Sequence, residues 1–165
     1  MSIKFETIPT VTVVRIPKFK AITSGFHAIE DDGFFGAIWD WELENESILP
    51  PLENFTFGSD FYILKNGKYN LISAINDDVT EAQTTPFEII DFKGGLFASA
   101  ICVYRDNDSL EKVEDKIMKW IDSSNFIFDN ERNVMGQLVY EDEEIYKGLG
   151  YRQFLKYVPI KLRTE

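Results

Sequence analysis

A single cysteine and a single histidine are all that this 165-residue chain offers for thiol or imidazole chemistry. One cysteine cannot close an internal disulfide. With one histidine beside it, a zinc site would need carboxylates at spacings that the sequence does not provide. A nucleophilic triad would have to be built on His27, and no G-x-S-x-G elbow is present to carry its serine. Cys102 lies within an apolar run and is expected to be a small buried hydrophobe rather than a reactive thiol. Positive charge is scarce too: 17 Lys and Arg stand against 28 Asp and Glu, a net charge of −11. Phosphate binding needs clustered cations, so direct nucleic-acid contact is disfavoured and cationic ligands are favoured. No apolar run reaches the roughly 18 residues of a membrane span, and MSIKFETIPT lacks the apolar core of a signal peptide. Cytoplasm is the expected compartment, with no membrane partner. Neither a phosphate-binding glycine loop nor a helix-turn-helix pattern appears, and no cofactor is expected.

Aromatic residues, by contrast, are plentiful: 14 Phe, 7 Tyr and 3 Trp. The clearest local pattern covers residues 86–122. A strand-like run, Phe87 to Phe92, meets a Gly94-Gly95 break and a second run, Leu96 to Tyr104. A polar turn then leads to Leu110, Val113, Ile117, Trp120 and Ile121, the spacing of one helical face, with Asp108 and Glu111 placed for a capping box.

The first part of the chain has the same order. Val13 to Ser24 aligns with Ile89 to Ala100 at one constant offset, apolar on apolar at most positions, with Pro17 at the bend between two strand segments. A helix is expected over Asp31 to Asn45, with Phe34, Ile38 and Trp41 on one stripe and Phe35 and Trp39 beside it. Asn66-Gly67 between Phe61–Lys65 and Lys68–Ile75 signals a hairpin. Residues 77–86 are polar, end in proline and are expected to form a linker. In the second part, Val134 to Tyr140 and Tyr151 to Leu162 are expected strands, separated by an acidic, glycine-broken excursion. Pro159 is expected at a strand edge or end. The chain is therefore expected to be one domain of two repeats, about 1–76 and 87–165. Its fold class is α+β: duplicated βαββ units with pseudo-twofold symmetry, an antiparallel sheet and two helices on one side.

The strand, small-residue break, strand, polar turn and helix ending in Lys119-Trp120-Ile121, together with the closing Tyr157-Val158-Pro159-Ile160-Lys161, resemble the GyrI-like effector-binding family. The resemblance implies a small-molecule pocket at the join of the repeats, and a chain without its own DNA-binding module would sense or sequester ligands there. Expected ligands are amphipathic aromatic, cationic compounds, held by aromatic faces and a carboxylate. Aromatics expected near the join are Trp39, Trp41, Tyr62, Phe97, Tyr140, Phe154 and Tyr157. Many family members carry Glu two residues before a Tyr in the strand after the second helix, and in members that hydrolyse toxins this Glu is catalytic. Here Tyr140 matches the Tyr, but Leu138 stands at the Glu position. A second alignment uses Glu144-Ile145-Tyr146, too close to Pro159 for the usual spacing. The acidic partner is then Glu144, with Glu88 as a substitute; Glu42, like Glu88, reads as an exposed charge. No catalytic residue is assigned. Hydrolysis of a reactive small molecule and modulation of DNA gyrase as a protein partner stand as alternatives.

Overall fold

The computed structural model describes residues 10–51, 53, 55–139 and 142–164. The strands are β1 Thr12–Ile16, β2 Phe19–His27, β3 Asp60–Lys65, β4 Lys68–Ile75, β5 Glu88–Phe92, β6 Gly95–Val103, β7 Phe126–Phe128, β8 Met135–Leu138 and β9 Gln153–Leu162. The helices are α1 Asp32–Glu44, α2 Glu81–Thr84, α3 Asn107–Asp122 and α4 Glu143–Leu149, with a 3-10 turn at Glu46–Ile48. Asn66 and Gly67 both take positive φ (53° and 74°), the geometry of the tight turn that joins β3 to β4. Helix α3 is capped by Asp106, not Asp108: its carboxylate accepts from the Ser109 N–H at 2.9 Å.

All strand pairs are antiparallel, and the order across the sheet is β1-β6-β9-β8-β3-β4-β2-β5, with β7 on β9. This order is its own mirror under the exchange of β1 with β5, β2 with β6, β3 with β8 and β4 with β9. The offset that aligns Val13 with Ile89 also carries both ends of β1 and β2 onto the ends of β5 and β6. The two central strands meet at Tyr62 opposite Gly136. Each leading strand crosses over: β1 pairs with β6, and β5 pairs with β2. The two crossovers touch, because a Cβ on Gly94 (φ +71°) would lie 2.6 Å from the Ile16 carbonyl oxygen. Only glycine takes that conformation and that approach at no steric cost.

Helices α1 and α3 cover one face of the sheet. Ile22, Tyr62, Leu71, Cys102 and Phe154 pack there with Phe35, Ile38 and Trp41 of α1 and Leu110 of α3. Ala98, Ala100, Val158 and Ile160 pack with Ile117 and Ile121 of α3. The other face is concave. Phe61 of β3 and Phe92 of β5 lie three strands apart in the order, yet their rings stand 6.5 Å apart.

Several expectations are corrected. Residues 77–86 contain α2, begun by a capping box between Thr80 and Gln83, with Val79 and Thr84 buried. A helix of four residues carries too little periodicity to stand out in sequence. The acidic excursion holds α4, capped by Asp142, and Phe126–Phe128 pairs as β7. His27 closes β2, and its ring stacks on Phe34 at 3.6 Å. Pro159 lies inside β9. Its carbonyl accepts from the Asp129 N–H, so the side lacking an N–H faces the gap where the neighbour changes from β8 to β7.

Candidate functional site

On the helix-bearing face the join of the halves has an aromatic floor. Tyr62 sits at the centre, and Tyr69 and Phe154 flank it from matching places, Tyr69 opposite Leu64 and Phe154 opposite Leu138. Ring centroids are 5.8 Å apart for Tyr62–Tyr69, 6.0 Å for Tyr62–Phe154 and 5.5 Å for Tyr104–Phe154. Gly136 makes this possible, since a Cβ there would collide with Cζ of Phe154. The Phe154 ring thus lies over the strand where its partner half carries Tyr62. The Tyr62 and Tyr104 hydroxyls are 3.5 Å apart. Burial raises the Tyr62 pKa, as do Tyr104 and Asp60, so the phenol stays protonated.

Beside this floor a groove of about 510 Å3 opens between the β3–β4 hairpin, the start of α3 and the segment before α1. Ile29, Leu64, Tyr69, Leu110 and Val134 give it apolar walls. Its charged lining is Glu30, Glu111 and Glu114 with Lys65, Lys68 and Lys156. Lys156 is buried, and its ammonium lies 2.5 Å from Glu114, whose side chain is 42% exposed. Burial raises the pKa of Tyr69, with Tyr104, Cys102 and Glu30 adding to it. The volume falls in the range of small-molecule sites, roughly 300–1,000 Å3, and with Asn66 and Asn107 added to the charged residues the lining is more polar than apolar.

On the α1 side of Tyr62 lies a second polar group. Glu42 accepts a hydrogen bond from the Ser73 hydroxyl, and the Trp39 indole N–H donates to Asp60 at 3.3 Å. Burial pushes the Glu42 carboxyl up to about 7, against the Ser73 bond and with help from nearby Asp60. Asp60 is raised by its own burial, partly offset by Trp39. Glu42 is therefore no simple exposed charge. Its inward direction follows from its place on α1, one residue after buried Trp41 and facing Ser73 of β4.

The expected aromatics divide between the two faces. Tyr62 and Phe154, each 1% exposed, are core rings that fill the join beneath the groove, and Trp39 approaches them through Asp60. Trp41 packs against Phe87, ring centroids 6.4 Å apart, away from the groove. Phe97 and Tyr157 point to the concave face, where their rings are 6.1 Å apart and the Tyr157 hydroxyl donates to Gln137 at 2.8 Å. Strand parity separates them: Tyr157 is three residues beyond Phe154, hence on the other side of β9. Tyr140 lies outside the described residues. Glu144 on α4 and Glu88 on edge strand β5 are both exposed. Tyr69, Tyr104, Glu30, Glu111 and Glu114 join the site without having been singled out by sequence reasoning. The alternation of β4 with the hairpin signal could have pointed to Tyr69, but only tertiary structure brings α3 to it.

No protein-family model matches the chain, and no curated protein matches it. Solved structures do. The C-terminal domain of EcmrR superposes with a TM-score of 0.60 at 14% identity, over 92% of this chain and 97% of that one. SAV2435, solved bound to tetraphenylphosphonium, gives 0.55 at 8%, over 92% and 93%. A Listeria innocua protein described as a hydrolase gives 0.61 at 8%, over 95% and 94%. Identities this low establish the fold, and it is the fold that the sequence resemblance implied. Among the described residues no helix is long and apolar enough to cross a membrane.

Proposed function

We propose that this chain is a small-molecule-binding domain of the GyrI-like type. It takes amphipathic aromatic cations into the groove between the β3–β4 hairpin and α3, for sensing or sequestration. The observation that carries the reading is the groove itself: about 510 Å3, with Ile29, Leu64, Leu110 and Val134 beside Tyr69, whose ring meets buried Tyr62 edge-on behind it. The lining carries three carboxylates and three lysines, so it does not select charge alone. Preference for cations is supported by the net charge of −11. The fold is shared with SAV2435, which was solved with a lipophilic cation bound.

Titration with tetraphenylphosphonium and a rhodamine is expected to quench tryptophan fluorescence and raise the melting temperature. Micromolar affinity corresponds to about −8 kcal/mol. Tyr69→Ala and Leu64→Arg should each weaken binding about tenfold, and added salt should weaken it further because part of the attraction is long-range. Absence of any thermal shift across a panel of such cations at hundreds of micromolar would refute the proposal.

Glu42 favours a second reading. A carboxyl whose pKa is about 7, beside Ser73 and Asp60, is poised for proton transfer near neutrality. A hydrolase acting on a reactive small molecule would use it as acid or base, and the fold is shared with a protein described as a hydrolase. Turnover that disappears in Glu42→Gln, with ligand affinity retained, would favour this reading over binding alone.

A further inference from the structure

The concave face holds two cavities in matching places of the two halves. One, about 140 Å3, is lined by Val14, Ile16, Phe61 and Gln137, among others. The other, about 270 Å3, is lined by Ile63, Ile90, Phe92, Phe97, Met135 and Arg132, among others. Under the offset of the duplication Ile90 and Phe92 answer to Val14 and Ile16, while Phe61 and Ile63 of β3 answer to Met135 and Gln137 of β8. The difference in size has a physical source. In the first half Phe19 packs on Phe55 and Phe61, with ring centroids 5.6 and 5.7 Å away. The counterpart of Phe19, at the same offset, is Gly95, and the counterpart of Phe61 is the slimmer Met135. A ring is thus missing at each of these two places: at Gly95 the Arg132 guanidinium takes the room, where any Cβ would meet it, and beside Met135 the space stays open.

The walls of that space state what it can hold. Ile63, Ile90, Phe92, Phe97 and Met135 are apolar. The guanidinium of Arg132 is already engaged. It donates to Asp129 at 2.8 Å and to the carbonyls of Gly94, Leu96 and Ile160 at 3.1, 2.9 and 2.8 Å, and lies over the Phe97 ring at 4.7 Å. At the rim Asp91, Lys93 and Glu131 are exposed to solvent. Among the described residues, the one charged group inside that rim is Arg132, already engaged, so the inner walls offer a charged ligand no free counter-charge. We infer that the concave face carries a second ligand site, separated by the sheet from the helix-side groove, for a compact uncharged aromatic molecule of two or three rings. About 270 Å3 lies just under the usual range of ligand cavities, which sets the upper size. The two sites would make one domain responsive to two ligand classes.

The test uses N-phenyl-1-naphthylamine, an uncharged aromatic whose fluorescence rises in apolar surroundings, with the full chain. Saturable enhancement with one site per chain is expected. Ile63→Phe and Ile90→Phe, at half-buried positions facing the cavity, should each lower its affinity at least tenfold. Both should leave tetraphenylphosphonium binding and the melting temperature nearly unchanged. Tyr69→Ala on the other face should leave the naphthylamine site intact whether or not the groove binds cations, so the two proposals fail separately. Non-saturable enhancement, or binding unchanged in both filled variants, or binding lost only in Tyr69→Ala, would each overturn the inference.

Discussion

Glu42 shows how much a single side chain hides from composition. Its residue type and its exposed neighbours on α1, Leu43 and Glu44, suggest a solvated charge. Folding turns it onto Ser73 and beside Asp60, where water is largely excluded. The thermodynamic consequence has a definite sign. Folded Glu42 keeps its proton up to about pH 7, whereas the unfolded chain gives it up near pH 4.5. Between those values the folded state binds more protons, so stability falls as pH rises. Glu42→Gln removes that dependence. The variant should match the parent near pH 4.5 and exceed it at pH 8 by about 3 kcal/mol, since the carboxyl rises from 4.5 to about 7 and each tenfold change in proton affinity is worth about 1.4 kcal/mol. Urea denaturation at the two pH values measures it, and equal stability of the two proteins at pH 8 would count against a desolvated carboxylate at this position.

At the level of elements, what was legible followed periodicity and turn chemistry. The helix of Leu110, Val113, Ile117 and Ile121 and the Asn66-Gly67 hairpin depend on near neighbours, and the constant offset between the repeats needs only the order of residues. All three are present in the sequence alone. What was not legible depends on crossings. Exchange of β1 and β5 between halves, and the placing of Phe97 on a different face from Tyr62, require the sheet order, whereas the split of Tyr157 from Phe154 follows from strand parity within β9. The site was half legible for the same reason: its aromatic floor could be named, whereas the α3 carboxylates and Tyr69 meet only in three dimensions. Short helices such as α2 and α4 lie below the length at which a pattern stands out. The crossing also makes a sharp demand on one element junction. Gly94→Ala places a methyl against the Ile16 carbonyl and the Lys18 N–H in a left-handed backbone. Combining positive φ with overpacking, it should cost about 2–4 kcal/mol. Gly33→Ala, in α1 with open space around its Cβ, should change stability by less than about 1 kcal/mol and serves as the control.

For the molecule as a whole, net charge and duplication act together. An acidic body attracts organic cations from a distance, and its two related halves present a groove on the helix side and two smaller, unequal cavities on the concave side. Asymmetry between equivalent positions shapes each space: at Gly136 the Phe154 ring takes the room of a side chain, and at Gly95 the Arg132 guanidinium does. The swap of leading strands has one more effect. Because each half lends its first strand to the other, neither can shed its sheet while its twin stays intact. Heating should therefore melt the chain in one cooperative step. Trp39 and Trp41 in the first half and Trp120 in the second would lose their native signals at the same temperature, as single-tryptophan variants can show. Two separate transitions would mean that the mutual loan of strands does not bind the halves into one thermodynamic unit.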